Sequence, residues 1–270
     1  MAGESALVSA GPLACRVFGE PWAPPVVLLH SLATHSEIWR PQLAVWSTTF
    51  RLVCIDLPGH GASPAPTGPL ALADLAGLVH AVLDELAVAR AAVVGLSLGG
   101  MVAQAMALGA PSRVRSLVLA HTSARTAPEL REVWQQRLQQ CEQHGIESQV
   151  EPTLARWFTK AFAGASPMTM DWVARQIRTT SPAGFATAIG AIQGLDHLDR
   201  LAEIALPTLV VAGDADAAVP PQAASAMAAR MPRAELFVLK DAGHIGNVQQ
   251  PLLFTEAVGR FLRETSTAAA

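Results

Sequence analysis

Six short apolar runs set the terms for folding this 270-residue chain: Pro25–His30, Arg51–Asp56, Ala91–Leu96, Val114–Ala120, Pro207–Ala212 and Glu235–Leu239. Several are continuous rather than alternating, which is the pattern of strands covered on both faces. Helical stretches lie between them, at Leu70–Leu86, Leu98–Leu108, Pro221–Met231 and Pro251–Glu264. Consecutive strands open the chain, and strand–helix units follow. Such alternation predicts an α/β protein with a mostly parallel central sheet flanked by helices.

One interval breaks the rhythm. From about Ala127 to Ala202 there is no convincing strand, although the segment holds Trp134, Trp157, Phe158, Phe162 and Trp172. Pro128, Pro152, Pro167 and Pro182 punctuate its helical spacing. The reading is a helical lid, residues 127–202, inserted after the sixth strand into a core made of residues 1–126 and 203–270. An insertion of this length would struggle to build an independent core. The final Ser-Thr-Ala-Ala-Ala is expected to fray.

Composition narrows the function classes. Hydrophobic residues make up 51% and charged residues 15%, ample for a buried core. A net charge of −3 supplies no concentrated basic surface, so no nucleic-acid partner is expected. A small anionic substrate held by one or two arginines would leave no trace in that balance. No apolar run is long enough to cross a bilayer, so no membrane partner is expected. Met1–Ala10 has neither a basic n-region nor a long apolar h-region, so no signal peptide is read. Cys15, Cys54 and Cys141 are odd in number and widely spaced. They read as small core residues of a reduced, cytoplasmic protein. No paired cysteines or His-x-x-x-His spacing appears, and no metal or cofactor is expected.

The chemistry is signalled by Val93-Val94-Gly95-Leu96-Ser97-Leu98-Gly99-Gly100-Met101, which contains Gly-x-Ser-x-Gly. Where a strand turns sharply into a helix, small residues let the turn close, and the serine hydroxyl projects above the sheet. The motif alone is a weak signal, and a plain Gly-Ser turn at a helix N-cap is the alternative. The apolar strand before it and the helix after it favour a nucleophile at Ser97.

Eight histidines compete to be the base. His80 falls mid-helix, His144 and His197 fall in the lid, and His60 belongs to the loop Pro58-Gly59-His60-Gly61. His244 follows the last strand, at the carboxyl edge where open α/β sheets bind ligands. Imidazole can take and return a serine proton near neutral pH. The acid should lie between Ser97 and His244 in chain order. Asp214 and Asp216 both follow the seventh strand; Asp216 is preferred because it can reach the neighbouring loop, while Asp214 suits its own turn. The sixth strand ends Ala120-His121-Thr122, with no carboxylate. Oxyanion donors are expected from the backbone N–H groups of Leu98 and Leu32. His30 is read as a buried brace for its loop.

These pieces resemble the α/β-hydrolase superfamily over nearly the whole chain. They are His30-Ser31-Leu32, Asp56-Leu57-Pro58-Gly59-His60-Gly61-Ala62-Ser63, Gly95-Leu96-Ser97-Leu98-Gly99-Gly100, Gly213-Asp214-Ala215-Asp216 and Gly243-His244. Within it the chain is similar to 3-oxoadipate enol-lactonases, at Ser123-Ala124-Arg125, Glu132-Val133-Trp134 with Arg137, Arg156-Trp157-Phe158-Thr159, Ser181-Pro182-Ala183-Gly184-Phe185 and His244-Ile245-Gly246-Asn247-Val248-Gln249-Gln250-Pro251. It departs from them at Gln193, where arginine is usual, and at Gln249, where glutamate is usual. Leu98 stands where methionine is common, and Ser31 where a glycine often follows the histidine.

The resemblance implies hydrolysis of an enol-lactone bearing a free carboxylate. Trp134 and Arg137 are three apart and share a helix face, so Trp134 could cover the lactone ring while Arg137 pairs with the carboxylate. The alternative makes Trp134 a packing residue and Arg137 a solvated one. The substrate class is a small ester or lactone, cleaved through an acyl-enzyme. A broad carboxylesterase, with perhydrolase side activity, would use the same residues. A ligand sensor that retains the triad is the reading from another class.

Overall fold

Every position of the strands Ala91–Leu96 and Thr208–Gly213 is buried, which only a sheet covered on both faces allows. The computed structural model describes residues 7–267. Most of the N-terminal segment read for a leader, and the last three residues of the tail expected to fray, lie outside that range.

Among the described residues the strands are β1 (Leu7–Ala10), β2 (Leu13–Phe18), β3 (Pro25–Leu29), β4 (Arg51–Ile55), β5 (Ala91–Leu96), β6 (Val114–Ala120), β7 (Thr208–Gly213) and β8 (Ala234–Leu239). They form one sheet in the order β1-β2-β4-β3-β5-β6-β7-β8. β2 runs antiparallel to β1 and β4, and every other pairing is parallel. This is the mostly parallel sheet flanked by helices that the strand–helix alternation predicts. The apolar runs at 91–96 and 114–120 coincide with β5 and β6, and the other strand ends differ by a residue or so.

Helices α1 (Arg40–Trp46), α2 (Leu72–Glu85), α3 (Leu98–Gly109), α9 (Pro221–Ala228) and α11 (Pro251–Thr267) cover the sheet. α3 packs on β3, β5 and β6, α9 on β7 and β8, and α11 on α1, β6 and β8. Trp39, Trp46 and Phe254 form a fully buried aromatic cluster with ring centroids 6.2 to 6.4 Å apart.

Between β6 and β7 stand α4 (Pro128–His144), α5 (Val150–Trp157), α6 (Lys160–Ala165), α7 (Pro167–Arg178) and α8 (Pro182–Gln193). Four prolines lie inside them: three, Pro128, Pro167 and Pro182, open α4, α7 and α8 at the first helical turn, where a missing N–H is harmless, and Pro152 lies two residues into α5. These five helices, the cap, leave and rejoin the sheet side by side. Thr126 N–H donates to Leu195 O, His197 N–H donates to Ala124 O, and Arg125 pairs with Asp196 and Asp199. Trp157, Val173, Ile177, Phe185 and Ile189 belong to the same continuous hydrophobic cluster as the sheet. A short helix, α10 (Gly246–Gln249), follows β8. Among the described residues no helix is long and apolar enough to cross a membrane.

Candidate active site

At the carboxyl end of β5 the backbone of Ser97 adopts φ +54 and ψ −112 before α3 begins. A serine held there stores about 1–3 kcal/mol of local strain, which the surroundings must offset. Ser97 N–H donates to Ala120 O at 2.8 Å, and the Thr122 hydroxyl donates to Ser97 O at 2.8 Å. The flanking glycines are steric requirements. A Cβ on Gly95 would come within 2.3 Å of Gly99 O, and one on Gly99 within 2.3 Å of Leu29 O.

The structure brings Ser97, His244 and Asp216 together. His244 Nε2 lies 2.9 Å from Ser97 Oγ. His244 Nδ1 lies 2.9 Å from Asp216 Oδ2 and 3.2 Å from Oδ1. With a carboxylate facing Nδ1, the neutral ring carries its proton there, which leaves Nε2 free to accept from the serine hydroxyl. All three residues are buried. Burial pushes the Asp216 carboxyl up, but the fields and hydrogen bonds of His244 and His121 outweigh it and hold the group below the usual carboxylate range.

The two aspartates after β7 part company. Asp214 is exposed. Asp216 makes the turn bonds expected of Asp214: its Oδ1 accepts from Ala218 N–H at 2.9 Å and Val219 N–H at 2.8 Å. One carboxylate therefore fixes its own loop and faces the histidine.

Leu32, in the loop after β3, and Leu98, the first residue of α3, flank Ser97. His30 O accepts from Gly99 N–H at 3.1 Å, which ties the Leu32 loop to the first turn of α3. Neither the Leu32 nor the Leu98 N–H has an acceptor among the described residues. Ala33, not Ser31, takes the positive φ in that loop. The His30 ring braces it, accepting from Leu57 N–H at 2.8 Å through Nε2 and donating to Ser31 O at 2.7 Å through Nδ1. Burial, reinforced by His60, pushes the His30 imidazole down to about 3, so it stays neutral.

A small cavity opens onto the serine. Ser31, Leu32, Ser97, Met101 and His244 line it from the sheet side, and Trp134, Arg137, Arg156 and Trp157 line it from the cap. Arg137 is 8% exposed. Its Nε donates to Gln149 Oε1 at 3.1 Å and its Nη2 to Thr153 Oγ1 at 2.8 Å, both neutral acceptors. The guanidinium lies over the rings of Trp134 at 5.0 Å and Phe185 at 5.7 Å. Among the described residues no carboxylate pairs with it. Burial, then the neighbouring Arg156, pushes its pKa down to about 10, the mark of a cation short of compensation. It remains charged at neutral pH.

A strained serine between two close-packed glycines, linked through an imidazole to a carboxylate from the later strand, decides the family. This chain belongs to the α/β-hydrolase family. The family's model, described as the alpha/beta hydrolase fold, matches residues 24–251. The hydrolase is 31% identical to 3-oxoadipate enol-lactonase 2 of Acinetobacter baylyi over 241 residues, 89% of each chain. The enol-lactonase from Burkholderia xenovorans superposes with a TM-score of 0.90 at 32% identity, covering 96% of this chain and all of that one. A malate-bound esterase from Thermogutta terrifontis superposes with a TM-score of 0.89 at 27% identity, covering 97% and 99%. The protein is an ester hydrolase or lactonase.

Four residues of this hydrolase escape the motif search. His121, directly after β6, places Nδ1 3.3 Å from Asp216 Oδ2. His121, Asp216 and His244 thus bring three potential metal-ligand atoms within 4.8 Å of one another. Both Nδ1 atoms already face the carboxylate, so the group reads as a hydrogen-bond relay. Gln249 stitches cap to core: its Oε1 accepts from Gly243 N–H at 3.1 Å and Thr159 N–H at 3.4 Å, and its Nε2 donates to Thr159 Oγ1 and Asp241 O, both at 2.8 Å. Beside it, His244 N–H donates to Trp157 O at 2.7 Å. Ser31 Oγ is buried without a partner among the described residues and lines the cavity. Arg156 adds a second cation to the cap wall. A polar residue ending the strand beside the acid's strand was the one available signal for His121; backbone contacts such as Trp157 to His244 leave none.

Proposed function

We propose that this hydrolase cleaves a small ester or lactone carrying a free carboxylate, with 3-oxoadipate enol-lactone as the specific substrate. The observation that carries this reading is Arg137, buried beside Ser97 and His244 with neutral partners only. A buried guanidinium of this kind gains most from a carboxylate that arrives with the substrate. The enol-lactonase relatives support the lactone, and Trp134 offers a flat apolar wall to a ring.

In this reading Ser97, His244 and Asp216 are the catalytic triad. His244 takes the Ser97 proton as Oγ attacks the carbonyl. The developing oxyanion accepts hydrogen bonds from the Leu32 and Leu98 N–H groups. His244 then protonates the leaving oxygen, which for an enol-lactone departs as an enol and stays tethered to the acyl group. Water, deprotonated by His244, attacks the acyl-enzyme, and Ser97 recovers its proton. Asp216 keeps the imidazole in the required tautomer and stabilises its charged form.

A direct comparison tests the reading: 3-oxoadipate enol-lactone against p-nitrophenyl acetate, each with the parent protein and Arg137→Ala. The proposal expects a strong preference for the lactone that Arg137→Ala erodes through KM. An unchanged KM for the carboxylated lactone would remove the pairing. A preference for the neutral ester would favour a broad carboxylesterase, which the esterase among the structural relatives supports.

A further inference from the structure

His121 is fully buried, yet it sits at φ +49, a backbone region that costs a non-glycine residue free energy. Its N–H donates to Val211 O at 2.8 Å, so the turn is anchored across the strand that leads to Asp216. The turn directs the ring at Asp216, with Nδ1 3.3 Å from Oδ2, the oxygen that also faces His244. Room for the ring is made by Gly246, where a Cβ would lie 2.3 Å from His121 Nε2. Nε2 has no partner among the described residues. A strained backbone, a glycine that clears space and an imidazole with one of its two nitrogens unpartnered are not needed to fill a core; an apolar side chain would do that more cheaply.

We propose that His121 is a positioning residue for the reaction at Ser97: its neutral imidazole, the second to face Asp216, donates a further hydrogen bond to that carboxylate and so limits how tightly it holds the proton on His244. The inference rests on the triad reading given above. Burial lowers the imidazole's pKa below its ordinary value against the pull of Asp216, with His244 acting in the same sense as burial. A neutral donor steadies the carboxylate without adding a second cation beside the imidazolium that forms in the reaction. The titratable and charged groups around this relay are Asp216 after β7, His121 after β6, His244 after β8, and Arg137 and Arg156 on the cap wall; Asp214 and Asp241 on the adjoining turns are exposed.

Two variants separate donor from backbone, and a third tests the reading beneath them. His121→Gly accepts the positive φ and loses the donor. His121→Asn tolerates the same φ and can still donate an N–H. Ser97→Ala tests the underlying reading. Each is assayed with p-nitrophenyl acetate across pH, with melting temperature measured in parallel. For His121→Gly the acid limb of kcat/KM moves up by about half a pH unit or more, because a carboxylate with fewer donors holds the imidazolium proton more strongly. Its kcat falls roughly five- to tenfold while KM stays within about twofold, as expected for an interaction that matters in the transition state. His121→Asn keeps the parental limb. An unmoved or lowered limb in His121→Gly, or an Asn variant that behaves like the Gly one, overturns the role of the donor while leaving the triad standing. Turnover that survives Ser97→Ala overturns the triad reading, and this inference with it.

Discussion

The rim of the sheet and the underside of the cap treat polarity in opposite ways. At the rim, both Asp216 oxygens are occupied and His244 is held through both ring nitrogens. Under the cap, Arg137 is buried with two neutral oxygens and two aromatic rings for company. The first arrangement is complete before any substrate arrives, as a preorganised catalyst must be. The second, in the function proposed above, is completed by the carboxylate of the substrate. That proposal gives reaction chemistry to the sheet and choice of substrate to the helices over it.

That division breaks if the largest effects do not fall on the rim. Ser97→Ala should lower kcat by about ten-thousand-fold or more with the fold intact by circular dichroism. Asp216→Asn should cost about a thousand- to ten-thousand-fold in kcat, whereas Asp214→Asn should stay within about twofold. Comparable losses at the two aspartates would undo the assignment.

Arg137→Ala sharpens the other half. The expected result is a KM for the carboxylated lactone raised about ten- to a hundredfold, with p-nitrophenyl acetate hydrolysis little changed. Equal losses on both substrates would mean that Arg137 holds the cap together rather than selecting the ligand. Gln249→Ala tests the seam between the regions. It leaves the buried Gly243 N–H without its acceptor, at about 1–3 kcal/mol. The melting temperature should drop by several degrees, and kcat should fall a few-fold because the His244 loop loosens.

The smallest effect is a gradual one with pH. Burial holds the His30 imidazole down at about 3 and the His60 imidazole at about 4, against an ordinary 6.5. In the unfolded chain both take up protons at higher pH than in the fold. Stability is thus full above about pH 6.5 and is lost progressively as pH falls toward 4 and then 3. Urea midpoints should decline through that window, and a flat profile would show that the unfolded chain shields these rings as well.

The two regions also differed in how much their residues disclosed in advance. β5, β6 and the Ser97 turn were legible because continuous apolar runs and close-packed glycines have one common structural cause. Reach alone favours Asp216 over Asp214 in the sequence; its double duty in the loop depends on where Ala218 and Val219 turn their N–H groups. α4 hid its character. Its residues are mostly polar, with only Arg137 and Cys141 buried, so no apolar stripe announced that the arginine faces inward. Pairing it with Trp134 by helical spacing was possible, but its burial depended on Thr153, Gln149 and Phe185 arriving from other helices. His121 gives only a weak signal, because a histidine ending β6 becomes a carboxylate's partner only once the fold sets Asp216 beside it.

The main-chain hydrogen bond from His244 to the carbonyl of Trp157 has a consequence for motion of the cap. If α5 moved away from the sheet, it would carry off the acceptor that holds the His244 main chain. In the proposed mechanism that motion and a seated base exclude each other, so α5 has to stay in place while His244 works.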